Sequence, residues 1–155
     1  MKRKCLATLL TAVMLAVGVF SASAFADNVI KVGAIDPTTG DNANGGLDDL
    51  QGKQFTVEDV NAAGGIEIDG EAYTVELVYE DDASSASQSV SVCTKLITES
   101  KVVGLVGSFS SSCTLADLDV IDEYEIPMIT SGSSAAADTV RSLLYMLLPF
   151  PEDKL

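Results

Sequence analysis

The stretch VVGLVG, residues 102–107, followed by SFSSSCT, residues 108–114, decides the fold class. Its first part is short, apolar and rich in valine, which is typical of a parallel strand covered on both faces. Gly107 permits a sharp turn, and the following serines supply oxygens that can cap a helix and N–H groups that can hold an anion. In an open α/β sheet, small ligands bind beyond the carboxyl ends of the strands. A ligand-binding loop is therefore the first hypothesis for this stretch.

The first 26 residues have the pattern of a secretory signal peptide. A basic start, MKRK, precedes an apolar run over residues 6–20, and AFA at residues 24–26 forms a small-x-small cleavage site. The apolar run is short for a membrane span. We therefore expect residues 1–26 to be removed and the mature chain to be periplasmic or otherwise exported, without stable insertion in a membrane.

Composition and charge exclude several classes of protein. The net charge of −14 over 155 residues becomes −17 once the three basic residues of the predicted signal are removed. Such an acidic chain repels nucleic acid and anionic membrane surfaces. Because the sequence contains no histidine, a Ser-His-Asp hydrolase in its usual form is excluded. The cysteine spacing does not fit a zinc site, and residues 41–52 lack the oxygen ligands of a calcium loop. We expect no enzyme activity, no metal and no cofactor.

Four predicted strands alternate with three predicted helices along the chain. The strands cover residues 29–35, 72–80, 102–106 and 126–130, and the helices cover residues 47–63, 83–100 and 115–123. The helices carry apolar residues at helical spacing, whereas the second strand alternates. Strands joined through helices by short connections form a parallel sheet with right-handed crossovers. The expected fold is an α/β open parallel sheet with helices on both faces and the flavodoxin-like strand order 2-1-3-4.

This topology predicts that three polar loops meet at one edge of the sheet: residues 36–46, 107–112 and 130–135. It also places the second and third helices on a shared face, which would bring Cys93 near Cys113. Two separate buried thiols are the alternative to one disulfide bridge. Since disulfides persist in an oxidising compartment, the shared face favours a Cys93–Cys113 bridge.

Acidic residues end the first two predicted strands, at Asp36 and at Asp81 and Asp82. Phospho-receiver domains share this strand order and carry an acidic cluster, but they are cytoplasmic, and the predicted export argues against that class. Our interpretation is that these carboxylates are solvated strand ends.

Four segments, taken together, resemble the leucine/isoleucine/valine-type periplasmic binding proteins of ABC transporters. They are IKVGAI at residues 30–35, VNAAGGI at 60–66, EDD at 80–82 and VGSFSS at 106–111. The likeness covers about residues 29–138 in the same order and spacing. It implies the first lobe of a two-lobed binding protein, with an amino acid or similar small molecule as ligand and an ABC permease as partner.

The resemblance also implies the residues of the site. Ser111 matches the family's serine after the third strand, Ser134 matches its Ser/Thr after the fourth, and backbone groups around Gly132 line the cleft. The expected ligand-binding set is Ser110, Ser111, Ser112, Gly132, Ser133 and Ser134. For the three consecutive serines, helix capping is the alternative role, and the two roles can coexist. Where the family often has an aromatic residue after the first strand, this sequence has NGG at residues 44–46, so that contact is missing or replaced.

Members of the family are more than twice as long, and their second lobe has no counterpart in this sequence. We therefore expect an incomplete fold: a signal peptide over residues 1–26, a first lobe over residues 27–138, and a divergent apolar tail over residues 139–155. Two alternatives remain open. The first alternative is a non-functional truncated product, and the second is the ligand-binding lobe of an extracytoplasmic sensor.

Overall fold

The computed structural model describes residues 28–130 and 132–133, together with the backbone of Leu144–Met146. The predicted signal peptide, Ser134 and most of the predicted tail lie outside the described residues. The elements in chain order are β1 (Val29–Asp36), α1 (Ala43–Ala62), β2 (Ile66–Ile68), β3 (Glu71–Asp81), α2 (Ala86–Lys95, continued as a π-helix over Leu96–Ser100), β4 (Gly104–Gly107), α3 (Ser111–Glu123), β5 (Met128–Thr130) and β6 (Leu144–Met146).

The strands form one sheet in the order β2-β3-β1-β4-β5-β6. Its central four strands, β3, β1, β4 and β5, are parallel neighbours. They are the four predicted strands in the predicted order, 2-1-3-4. Because β1 lies between β3 and β4, the direction in which strands are added reverses there, as predicted.

Two edge strands were not predicted. β2 pairs antiparallel with β3 through a tight turn at Asp69 and Gly70, where the sequence predicted a turn alone. β6 pairs parallel with β5 and lies within the predicted divergent tail. Strands of three residues carry too little periodicity to be distinguished from a loop. The lobe's sheet therefore extends beyond residue 138.

Helices cover both faces of the sheet, as predicted. On one face, Ile35 of β1 joins a core with Leu96 and with Ile121 of α3. Val32, three residues earlier, lines a groove of about 480 Å³ on the other face, opposite Lys53 of α1. Since side chains alternate along a strand, these two residues point to opposite faces. Among the described residues, no helix is both long and apolar enough to cross a membrane.

All three helices begin at positions that differ from the prediction. α1 begins at Ala43 and includes Gly45 and Gly46, which disfavour helix. A Cβ at Gly46 would lie 2.0 Å from the Pro37 carbonyl oxygen, so this glycine is required by close packing of the helix on the preceding loop. α3 begins four residues before the predicted start, at Ser111, because Ser110 serves as its N-cap.

The start of α2 is delayed to Ala86 by local hydrogen bonds. Ala83 donates its N–H to Asp81 Oδ1 and Ser84 donates its N–H to Asp82 Oδ1, both at 2.8 Å. Ala83 and Ser84 have left-handed backbone conformations, with φ of 51° and 59°. Aspartate side chains commonly stabilise turns in this way. The two residues form a turn rather than the first turn of the helix.

Candidate functional site

The start of α1, which belongs to the first of the three predicted loops, lies with the loops after β4 and β5 at the carboxyl edge of the sheet. A Cβ on Gly132 would lie 2.3 Å from the Phe109 carbonyl oxygen, and a Cβ on Gly45 would lie 2.6 Å from Phe109 Cζ. The Thr130 hydroxyl donates to the Ser108 carbonyl at 3.0 Å. The predicted meeting of three polar loops is therefore present, and only glycine permits the closest approaches.

The serines that follow β4 differ in their surroundings. Ser110 is half-buried and its hydroxyl accepts a hydrogen bond from the Cys113 N–H at 3.4 Å. The hydroxyls of Ser110 and Ser112 are 3.3 Å apart, with Ser112 exposed and Ser111 half-buried. Helix capping, the alternative role, is thus performed by Ser110. Ser111 and Ser112 form the first turn of α3, whose partial positive charge favours an anionic group.

The loop after β5 contributes one exposed and one buried position. Gly132 is exposed, whereas Ser133 is fully buried and donates its N–H to the Thr130 hydroxyl at 3.4 Å. The Ser133 hydroxyl has no hydrogen-bond partner among the described residues. Ser134, the residue matched to the family's Ser/Thr, lies outside the described residues.

Phe109 is a candidate site residue that was not among the predicted ligand-binding residues. Its half-buried ring lies against Gly45 in α1 and Gly132 after β5. It thus supplies an aromatic surface beside the NGG segment at residues 44–46. The signal in the sequence was an aromatic residue placed between serines 108 and 110, combined with glycines at 45 and 46.

The interpretation of the acidic strand ends as solvated is wrong for two of the three residues. Asp36 and Asp82 are buried, at 0% and 1% exposure. Burial raises the pKa of Asp36 to about 7, although the Lys53 ammonium, 2.6 Å from Oδ1, acts to lower it. Burial likewise raises the pKa of Asp82. Parallel strands that end under loops and helices shield these carboxyls from solvent.

Asp81, by contrast, connects the loops after β1 and β3. Its Oδ1 accepts the Thr38 N–H at 3.0 Å and its Oδ2 accepts the Thr39 hydroxyl at 2.7 Å. Partial burial acts to raise the pKa of Asp81, but hydrogen bonds from Thr39, Ala83 and Thr38 hold it below its ordinary value. This carboxylate fixes the loop that leads into α1.

The predicted bridge between Cys93 and Cys113 is not formed, because both residues are free, buried thiols. α2 and α3 do pack on one face of the sheet, as expected. Cys93, however, belongs to the hydrophobic core, whereas the Cys113 thiol interacts with the Asp82 carboxyl and Ser110. Sharing a face brings the helices together without directing the two sulfur atoms at each other.

The burial of both thiols predicts that they react slowly in the folded protein. Burial, together with the charge of Asp117, raises the pKa of Cys93, and burial raises the pKa of Cys113, so little reactive thiolate is present near pH 8. Ellman's reagent should detect neither of them in the native chain within minutes. After denaturation without reductant it should detect both, in addition to Cys5 if the predicted signal is retained. Failure to detect either one in denatured protein would restore the bridge.

The residues that the structure describes include no cluster of three or more Cys, Asp, Glu or His side chains arranged to hold a metal ion. The loops after β4 and β5 offer hydroxyls, backbone amides, the N-terminus of α3 and the ring of Phe109. This set of groups suits a small ligand with a carboxylate and an apolar part.

Comparison with known proteins gives matches over most of the chain. A family profile described as "Periplasmic binding protein" matches residues 29–146. An amino acid binding protein of Pseudomonas aeruginosa is 41% identical over 126 residues, which are 81% of this chain and 32% of that protein. The Leu/Ile/Val-binding protein of Escherichia coli is 31% identical over 128 residues, covering 83% of this chain and 33% of that protein.

A solved structure of a substrate-binding protein is also similar to this chain. The branched-chain amino acid transporter substrate binding protein LivJ of Streptococcus pneumoniae, in complex with isoleucine, superposes with a TM-score of 0.68 and 31% identity. The superposition covers 76% of this chain and 33% of that protein. The chain thus spans about a third of the length of the relatives it matches.

Proposed function

This chain belongs to the periplasmic binding protein family, and we propose that it is the first, ligand-binding lobe of an exported amino-acid-binding protein for ABC-type import. The observation that carries this proposal is the joining of the loops after β4 and β5. Through Gly132 against Phe109 and Thr130 against Ser108, the loops bring Ser110, Ser111, Ser112, Gly132 and Ser133 to one edge of the sheet.

The groups at this edge match the parts of an amino acid. The first turn of α3, with Ser111 and Ser112, offers hydroxyls and positive helix-end charge to an α-carboxylate. Carbonyl and hydroxyl oxygens of the loop after β5, including Ser134, suit an α-ammonium. Phe109 offers an apolar surface to the ligand's side chain, and isoleucine is the ligand named for the Streptococcus pneumoniae relative. We infer a preference for apolar amino acids.

The remaining parts of the proposal concern export and partners. Residues 1–26 act as the export signal, residues 27–138 form most of the lobe, and an ABC permease is the partner. The match through residue 146 and the pairing of β6 with β5 support assigning residues beyond 138 to the lobe as well. Co-purification with a permease encoded beside this chain would test the transport role against a sensor role.

We expect the chain alone to bind leucine, isoleucine or valine only at millimolar concentration or more weakly. The described residues provide one wall of a cleft, so each hydrogen bond to the ligand competes with water and contributes about 1 kcal/mol. The loss of ligand freedom costs about 4 kcal/mol or more, which a few such bonds barely offset. Ligand-observed NMR or calorimetry measures the affinity directly.

Two variants make this measurement specific. Ser111→Ala should remove the binding, whereas Ser87→Ala, at an exposed position on α2, should leave it unchanged. A micromolar dissociation constant from a monomer would contradict the single-wall geometry. Undiminished binding by Ser111→Ala would contradict the placement of the site.

A further inference from the structure

A buried polar cluster lies directly beneath the candidate site. The Asp117 Oδ2 atom accepts the hydroxyl of Ser108 at 2.5 Å and the hydroxyl of Ser89 at 2.7 Å. All three residues are fully buried. The cluster joins α2, α3 and the first residue after β4, so it connects the helical layer to the loop that carries the serines.

Ser108 is also held through its backbone. Its carbonyl oxygen accepts the hydroxyls of Thr114 at 3.1 Å and of Thr130 at 3.0 Å. Thr130 in turn accepts the Ser133 N–H. Ser108 therefore links the loops after β4 and β5, and Asp117 fixes the side chain of Ser108.

Burying a carboxylate at this point is costly, which argues that a helix–helix contact alone does not explain it. Burial raises the pKa of Asp117 to about 6, against hydrogen bonds from Ser108 and Ser89 that lower it, while the charge of Asp82 raises it. The Asp117 Oδ1 atom has no hydrogen-bond partner among the described residues. An apolar side chain here would pack without this penalty.

The other groups that face Asp117 do not neutralise its charge. Asp82 approaches from the end of β3, Cys93 lies on α2, and Cys113 lies one turn earlier on α3. None of the three carries positive charge. The Ser89 and Ser108 hydroxyls are therefore the main stabilising contacts of the ionised carboxylate, and bonds to an ionised acceptor are about twice as strong as neutral ones.

We propose that Asp117 is a positioning residue for the ligand site: without touching the ligand, it holds Ser108 and thereby fixes the loop that presents Ser110, Ser111, Ser112 and Phe109. This inference rests on the proposed function, because it assigns these residues to the ligand.

The first test needs no ligand. In the purified chain, the amide NMR signals of residues 108–112 and of Gly132 should titrate with a midpoint near pH 6. Asp117→Asn should abolish that titration, and Ser89→Ala, which removes a donor to the carboxylate, should raise its midpoint. Glu123→Gln removes the same charge from an exposed position on α3 and should leave the titration unchanged.

The second test measures leucine affinity at pH 7.5. Asp117→Asn should weaken binding about threefold or more while the midpoint of thermal unfolding stays equal or rises, because a neutral amide avoids the cost of burying a charge. A residue with only a structural role would lower both together. Absence of leucine binding by the unmodified chain would overturn the proposed function, and the loop titration would still test Asp117. Unchanged loop signals in Asp117→Asn would overturn the positioning role.

Discussion

Replacing Gly107 with alanine is expected to destabilise the protein by about 4 kcal/mol. Gly107 ends β4 with a φ of 135°, a conformation that L side chains rarely adopt. A Cβ at this position would lie 2.3 Å from the carbonyl oxygen of Ile35, with which Gly107 is in register on β1. The added methyl group must therefore separate the two central strands or refold the turn into the serine loop.

Urea denaturation followed by circular dichroism measures this loss, and the same strand provides the control. Gly104→Ala places its Cβ 3.6 Å from the Pro127 carbonyl oxygen, an ordinary contact, so it should cost less than about 1 kcal/mol. Equal losses in the two variants would show that strand propensity, and not the geometry of the turn at Gly107, determines the effect.

The central part of the fold could be predicted because its signals are local. The valine-rich run before Gly107 and the alternating stretch over residues 72–80 each identify a strand within a few residues. The preference for right-handed crossovers then limits the order of the strands to a few arrangements. The order β3-β1-β4-β5 is one of these arrangements, and it follows once the second and third predicted strands are placed on opposite sides of the first.

The start of α1 and the separation of the two cysteines could not be predicted, because they depend on contacts between different elements of the fold. Gly46 lies in α1 because the helix packs on Pro37, although glycine disfavours helices. Cys93 and Cys113 lie on adjacent helices, yet the direction of each thiol is set by the core around one and by Asp82 beside the other. Helical spacing gives the buried face of a helix but not the neighbour of each side chain.

The serines of the candidate site were proposed from the sequence, but the buried residues that support them were not. The serines after β4 were identified from their position at a strand end. Asp117 lies four residues after Cys113 and four before Ile121, a spacing that places it on the buried face of α3. Its partner Ser89 is 28 residues away in sequence. That spacing indicated a buried acidic residue, but nothing in the local sequence identified the hydroxyls that donate hydrogen bonds to it.

Replacing Lys53 with methionine is expected to cost about 3–5 kcal/mol near pH 8, because it leaves a buried carboxylate without its cation. The Lys53 ammonium lies 2.6 and 2.7 Å from the two oxygens of Asp36 and 3.0 Å from Asp49 Oδ2. The Asp36 side chain is fully buried, and that of Lys53 is nearly so. Methionine fills a similar volume against the sheet, so the loss reports the charge and not a cavity.

The loss should grow with pH. Asp36 has an ordinary pKa of 3.8 and a folded pKa of about 7, so the folded protein binds this proton more tightly than the unfolded chain does. Its contribution to stability is therefore greatest below about pH 4, falls as the pH rises, and levels off above about pH 7. Without Lys53 the pKa of Asp36 in the folded protein rises further. The variant therefore continues to lose stability above about pH 7, where the stability of the unmodified protein no longer depends on Asp36.

A thermodynamic cycle separates the ion pair from other effects of the substitution. Adding Asp36→Asn to Lys53→Met should recover most of the lost stability, because no buried charge then remains unpaired. Lys95→Met is the matched control: its ammonium lies 2.6 Å from Glu80 but is about half exposed, so its removal should cost far less stability than Lys53→Met. The stability lost in Lys53→Met should be larger at about pH 9, where Asp36 is ionised, than at about pH 6, where it is mostly protonated. An equal loss at the two pH values would show that Lys53 does not stabilise the protein by pairing with Asp36.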